Sequence, residues 1–185
     1  MIVARDADRV LLDTGVIVNF LEAGMLIPLA SYLPNAAVTL DVDVELRRLA
    51  GTRFADLATL DRLRWPPGEP LALPPDLLAD AEALRKLNSS PGAHEAANRG
   101  EIATALLAGR LQAAAIIDDD LGKRLCRKRK VARLSTAQLV AEMVAAGAID
   151  ADSGFLVFDI ATPDGVGRAE YEKAMDSARS ALSSG

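Results

Sequence analysis

Apolar and polar positions along the chain follow two rhythms. Val10, Leu11 and Leu12 form a short apolar run closed by Asp13, the pattern of a buried strand. Apolar positions then recur at helical spacing through Val16, Phe20, Leu21, Met25, Leu26 and Leu29. Gly24 and Pro28 divide that stretch into two short helices. Residues 37–40 predict a second strand, residues 43–50 a helix stopped by Gly51, and residues 52–63 another helix. Five prolines in residues 65–75 predict a stiff, extended connector. Residues 76–87 are amphipathic, with Leu77, Leu78, Ala81, Leu84 and Leu87 on one face. A loop rich in Ser, Pro, Gly and Asn follows over 88–100, then a helix over 101–110 and a third strand over 113–117. That strand runs into Asp118, Asp119 and Asp120, and residues 121–130 predict a helix with a basic face. Ser135 and Gln138 have capping-box spacing, so residues 135–146 predict a helix, closed by Gly147. Residues 155–160 read as a further strand and residues 168–182 as a last helix.

Strands alternating with helices predict an α/β fold with a mostly parallel sheet covered on both faces. In such sheets the working residues sit beyond the carboxyl ends of the strands. Asp13 and the aspartate triplet fall there. The composition changes little in this picture. The chain has 185 residues, 50% of them hydrophobic and 25% charged, which excludes wholesale disorder and suggests one domain, with room for an appendage. One cysteine and one histidine, Cys126 and His94, exclude a disulfide framework and a zinc cage of Cys and His ligands. The apolar stretch 16–33 is broken by Asn19, Glu22 and Pro28, so no membrane span is expected. Acids at positions 6 and 8 do not suit a signal peptide, so a cytoplasmic location is expected.

Four acidic positions then stand out: Asp13, Glu45, Glu101 and the run from Asp118 to Asp120. Each alone has an ordinary explanation. Glu45 and Glu101 lie near predicted helix starts, where the helix dipole favours acids. Asp13 opens a turn, and three aspartates suit a solvated loop. Converging at one sheet edge, however, they would repel one another and destabilise the fold unless a cation neutralised them. Oxygen-only donors suit Mg²⁺ or Mn²⁺, which activate water and stabilise charge on a phosphodiester.

The charge balance adds a second feature. The net charge is −5, against bulk attraction to nucleic acid. Yet residues 123–133 hold seven basic residues and no acid: Lys123, Arg124, Arg127, Lys128, Arg129, Lys130 and Arg133. Such a run is either a solvated helix face or a phosphate-binding surface; its place beside the acids favours the second. At 4%, aromatic residues are too few to suggest base stacking.

These motifs together resemble PIN-domain ribonucleases. Val10, Leu11, Leu12, Asp13, Thr14 and the following turn to Asn19 are similar to that family's opening strand and turn. Val44, Glu45 and Leu46 resemble its second acidic position. The segment from Gly100 and Glu101 to Ala108 resembles a "GEA…ALA" helix, and Asp119 to Arg124 a "DDxxAR" element. Ser135 and Thr136 resemble the segment that follows, where a Thr opens a helix. Gly15 replaces a usual Asn, and Lys123 a usual Ala. The resemblance spans residues 9–147. It implies a three-layer α/β/α sandwich, with residues 1–147 as the nuclease domain; residues 148–185 have no counterpart in it and form an extension open to three roles, completing the sheet, mediating dimerisation or contacting a partner. It implies metal-dependent cleavage of single-stranded RNA, and many small bacterial members are VapC-type toxins, held by a cognate antitoxin and often homodimeric. By position, Asp13, Glu45, Glu101 and Asp119 or Asp120 would bind Mg²⁺ or Mn²⁺. Thr14, Asn19 and Thr136 would support them.

Two other readings compete. Asp41 and Asp43 resemble the Asp-x-Asp signature of haloacid-dehalogenase-like phosphohydrolases, but Ile117 stands where that family has Gly before its metal-site Asp. A PIN-like domain used only for binding is the other.

Overall fold

The computed structural model describes residues 4–50, 65–88, 98–162, 169 and 171–176. A 3₁₀ turn, Ala4–Asp6, leads into β1 (Val10–Leu12), α1 (Thr14–Glu22), α2 (Leu26–Tyr32), β2 (Ala36–Ala37) and α3 (Leu40–Ala50). After residue 64 come α4 (Pro75–Asn88), α5 (Arg99–Leu111), β3 (Ala114–Ile116), α6 (Asp120–Arg129), β4 (Arg133–Leu134), α7 (Thr136–Ala145) and α8 (Ala151–Ala161). The expected helix over 52–63, the loop around His94 and most of 163–185 lie outside the described residues.

The four strands form an all-parallel sheet in the order β2-β1-β3-β4. Leu11 stands between Ala37 and Ala115, and Leu12 beside Ile116. Successive strand residues point to opposite faces. Val10, Leu12, Ala114, Ile116 and Leu134 therefore enter one core, with Val16, Phe20, Leu139 and Val157 from α1, α7 and α8. Leu11, Ala37, Ala115 and Ile117 enter the other, with Leu106 and Leu125 from α5 and α6. Two cores divided by one sheet make the three-layer α/β/α sandwich that the alternation predicts. Because the strands are short and covered on both faces, they read as continuous apolar runs.

The connector is more than a spacer. Leu71 donates its N–H to the Val38 carbonyl and accepts from the Leu40 N–H, each at 2.9 Å, so the Pro-rich segment pairs with the chain just after β2. Trp65 is buried and donates Nε1–H to the Leu33 carbonyl at 3.0 Å.

Three readings of the pattern need correction. Residues 155–160 are helical, not a strand. Asp150 caps α8 by accepting from the Ser153 N–H, and Gly154, Val157 and Phe158 are the buried positions, an i, i+3, i+4 stripe. Among its described residues the segment from 148 onward adds no strand; Val157, Phe158, Tyr171 and Met175 join the α1 side of the core. Strand β4 is a second departure, because two residues are too few to show a period. The third concerns α4, where Leu77 is buried but Leu78 and Leu87 are exposed. No helix among the described residues is long and apolar enough to cross a membrane.

Candidate functional site

In the order β2-β1-β3-β4, the chain leaves β1 toward β2 on one side, while β3 lies on the other. A crevice opens at such a switch point beyond the carboxyl ends of the two central strands. Asp13 follows β1 directly, and its N–H donates to the Ile116 carbonyl at 3.2 Å, which ties it to β3. Asp118 and Asp119 follow β3. Glu45 comes from the second turn of α3 and Glu101 from the first turn of α5.

These acids lie at graded depth. Asp13 is the floor, 6% exposed, and its Oδ1 is buried without a hydrogen-bond partner. Glu45, Glu101 and Asp118 are half-buried, and Asp119 is exposed at the rim. Burial, then Glu101, pushes the Asp13 carboxyl up to about 8; Glu45 and Asp118 add to the rise, while a hydrogen bond from the Thr14 N–H opposes it. The Glu101 carboxyl is raised as well, chiefly by burial, with Asp119 and Glu45 contributing. The expected convergence is thus present as mutual repulsion among acids from four segments of the chain.

Neighbouring groups hold the walls in place. The Thr14 hydroxyl donates to Glu45 Oε2 at 2.7 Å. Thr136 donates its N–H to Asp118 Oδ1 at 2.8 Å and its hydroxyl to Asp118 Oδ2. Asp119 caps α6, its Oδ1 accepting from the Leu121 and Gly122 N–H groups at 2.6 and 3.1 Å. Gly100 has a role the sequence reading misses. A Cβ there would lie 3.3 Å from Asp13 Oδ1 and 3.3 Å from Glu45 Oε2. The space between those two oxygens exists because residue 100 has no side chain.

Not every expected residue joins. Asp120 is exposed and pairs with Lys123 at 3.4 Å, away from the acids. Asn19 sits more than a turn further along α1 than Thr14 and takes no part in the hydrogen bonding around them. Asp118, the member of the triplet disfavoured by aligning Arg124, is instead the one that acts on Asp13. The usable signal was Thr136, whose partner it is. For the phosphohydrolase pattern, Asp41 and Asp43 lie in the first turn of α3, and Asp43 pairs with Arg47 at 2.7 Å.

The basic run is partly neutralised. Arg129 pairs with Asp80 at 2.9 Å, and Arg133 donates to the Ile117 carbonyl at 3.0 Å. Arg124, Arg127, Lys128 and Lys130 are exposed and form no ion pair among the described residues. Apart from Arg124 they cluster at the carboxyl end of α6, where the helix dipole favours cations. Arg127 to Lys130 stand about 12–16 Å along the helix from Asp119.

The donor set is all oxygen, the chemistry of a hard divalent cation. Among the described residues, no three His, Cys, Asp or Glu side chains stand close enough to hold one ion between them. Mg²⁺ does not require that: it retains several waters and commonly takes one or two carboxylates. The orphaned Asp13 oxygen and the cradle left by Gly100 fit such an ion. No family model, no curated protein and no solved structure matches the chain.

Proposed function

We propose that this protein is a Mg²⁺- or Mn²⁺-dependent endoribonuclease of PIN-domain type acting on single-stranded RNA. The observation that carries this reading is the buried Asp13 oxygen, unpartnered and facing a cluster of further carboxylates at the switch point. Asp13 and Glu101 would hold the cation, its other ligands being water, and Glu45, Asp118 and Asp119 would accept from those waters. When bound, such an ion supplies Lewis-acid stabilisation of the phosphate and lowers the pKa of water. The chain's own groups do the positioning: Thr14 orients Glu45, Thr136 fixes Asp118, and Asp13 holds a proton near neutral pH until a cation replaces it. Arg124, Arg127, Lys128 and Lys130 would draw in the phosphate backbone. Asp120, Lys123 and Arg129, engaged in ion pairs of their own, have no part in this proposal. The resemblance extends the reading to a cytoplasmic toxin held by a cognate antitoxin, acting as a homodimer.

The test is cleavage of a mixed-sequence single-stranded RNA with Mg²⁺ or Mn²⁺, with and without chelator. Asp13→Asn and Asp119→Asn should abolish cleavage, whereas Asp120→Ala should stay within about twofold of wild type. Asparagine at 119 retains the cap on α6, so loss there reports chemistry rather than unfolding. Cleavage that survives chelation or Asp13→Asn would overturn the proposal. A folded, metal-loaded protein that binds RNA without cutting it would leave the binding-only domain.

A further inference from the structure

A cleft of about 140 Å³ lies between α3, α4 and the first turn of α5. Ala81, Ile102 and Leu78 form apolar walls, and Leu78 is 53% exposed. Glu82 and Arg85, also on the cleft, pair with each other at 2.8 Å. Asp41 and Arg99 remain as its other charged groups. They act on each other electrostatically, yet no ion pair joins them among the described residues. Asp41 is half-buried and Arg99 exposed at the mouth.

The position of the cleft gives it meaning. Asp41 is four residues before Glu45 on α3, and Arg99 is two residues before Glu101 on α5. The Asp41 wall of the cleft is therefore about one helical turn, roughly 6 Å, along α3 from Glu45, whereas Arg99 and Glu101 stand on opposite sides of α5. A strand with its phosphate at the acids would bring a neighbouring base there.

We infer that this cleft binds one nucleobase of the RNA strand and selects guanine, through Asp41 and Arg99. The cleft is far below the roughly 300–1,000 Å³ of pockets for drug-sized ligands, so it suits a single ring system. Apolar walls suit the faces of a base, and single-stranded RNA is read on exposed base edges. Guanine places two N–H donors, N1 and N2, side by side, and a carboxylate accepts such a pair with both oxygens. Its O6 lies next to them and accepts from a guanidinium. Adenine puts an acceptor at N1, facing the carboxylate. Uracil has one donor between two acceptors, and cytosine presents acceptors at both N3 and O2.

This inference rests on the ribonuclease reading for the identity of the strand, but its test does not require cleavage. Binding of guanosine 5′-monophosphate to the full chain is measured by calorimetry in chelator, against the adenosine, uridine and cytidine monophosphates. Guanosine monophosphate should bind at least tenfold tighter than the others. Asp41→Asn and Leu78→Glu should each weaken it at least tenfold, with circular dichroism showing that both remain folded. Asp152→Asn, at the start of α8, should leave it unchanged. Equal binding of all four nucleotides, no binding, or insensitivity to both cleft substitutions would overturn the inference. Guanine-selective binding by a protein that cuts no RNA would keep the cleft assignment and remove the nuclease reading. RNA cleavage with no nucleotide selectivity would do the reverse.

Discussion

Asp13 is a proton trap whose behaviour sets the pH response of the metal-free protein. Its carboxyl is at about 8 when folded, against an ordinary value of 3.8. Between those values the folded chain holds a proton that the unfolded chain releases, so stability falls as pH rises through that window. The contribution is complete below about pH 4 and lost above about pH 8, an effect of a few kcal/mol. Asp13→Asn removes it. In chelator, urea unfolding should show the variant more stable than wild type at pH 8 and nearly equal at about pH 4; parallel curves across that range would contradict the assignment. Adding Mg²⁺ at pH 8 should stabilise wild type more than the variant. Gly100 makes a related prediction. Alanine is the better helix former by about 1 kcal/mol, yet its Cβ would press on Asp13, Glu45 and Val42 at 3.3 Å each. Gly100→Ala should therefore fold with near wild-type stability but lose most of its Mg²⁺-induced stabilisation, read as a smaller thermal shift. Cys126 is buried and its thiol is pushed up to about 11 by burial, so native protein should resist alkylation at pH 8 until denaturant is added.

Local signals in the sequence succeeded where one short-range interaction decides the structure. The Ser135–Gln138 capping box is present in full, and Gly147 takes φ +69° just past the end of α7. Ser135→Ala should cost about 0.5–2 kcal/mol, measured by denaturant unfolding. The acids Asp13 and Glu101 were legible for the same reason, one following a strand and the other opening a helix, whereas Glu45, in the second turn of α3, was singled out by the resemblance. What escaped the sequence depends on distant contacts. Residues 155–160 are apolar enough for a strand, but α8 forms because Val157 and Phe158 pack against α1 and α7 from its own first turns onward. Leu78 looked like core because periodicity cannot tell a core-facing stripe from a cleft wall. That Asp118 acts on Asp13 while Asp119 acts on Glu101 emerges only with the fold, in which Thr136, just after β4, holds Asp118. Gly122 shows the same dependence. A Cβ there would meet Ile117 Cγ2 at 2.3 Å, because α6 begins directly against the end of β3. Gly122→Ala should destabilise the fold by about 1–3 kcal/mol, and a neutral result would mean that Ile117 has free space to turn into.

The assembled protein separates its charges: acids gather in the central crevice, and unpaired cations lie at the far end of α6. Replacing Arg127, Lys128 and Lys130 with Gln should flatten the salt dependence of RNA binding while leaving Mg²⁺ affinity unchanged, since they are remote from Asp13; an unchanged slope would return the run to a role in capping the helix dipole. The sheet order has a further effect. The earliest strand to be synthesised lies in the middle, and its inner partner β3 arrives only after Ala114, with Thr136 later still. Such distant pairings are slow to form. A growing chain therefore carries Asp13 long before it carries anything to press against it, and the carboxylate remains an ordinary, hydrated acid. Only when the segment through Thr136 has folded back does the crevice exist. If the chain cuts RNA, it does so only once its residues through Thr136 have been made and have folded back.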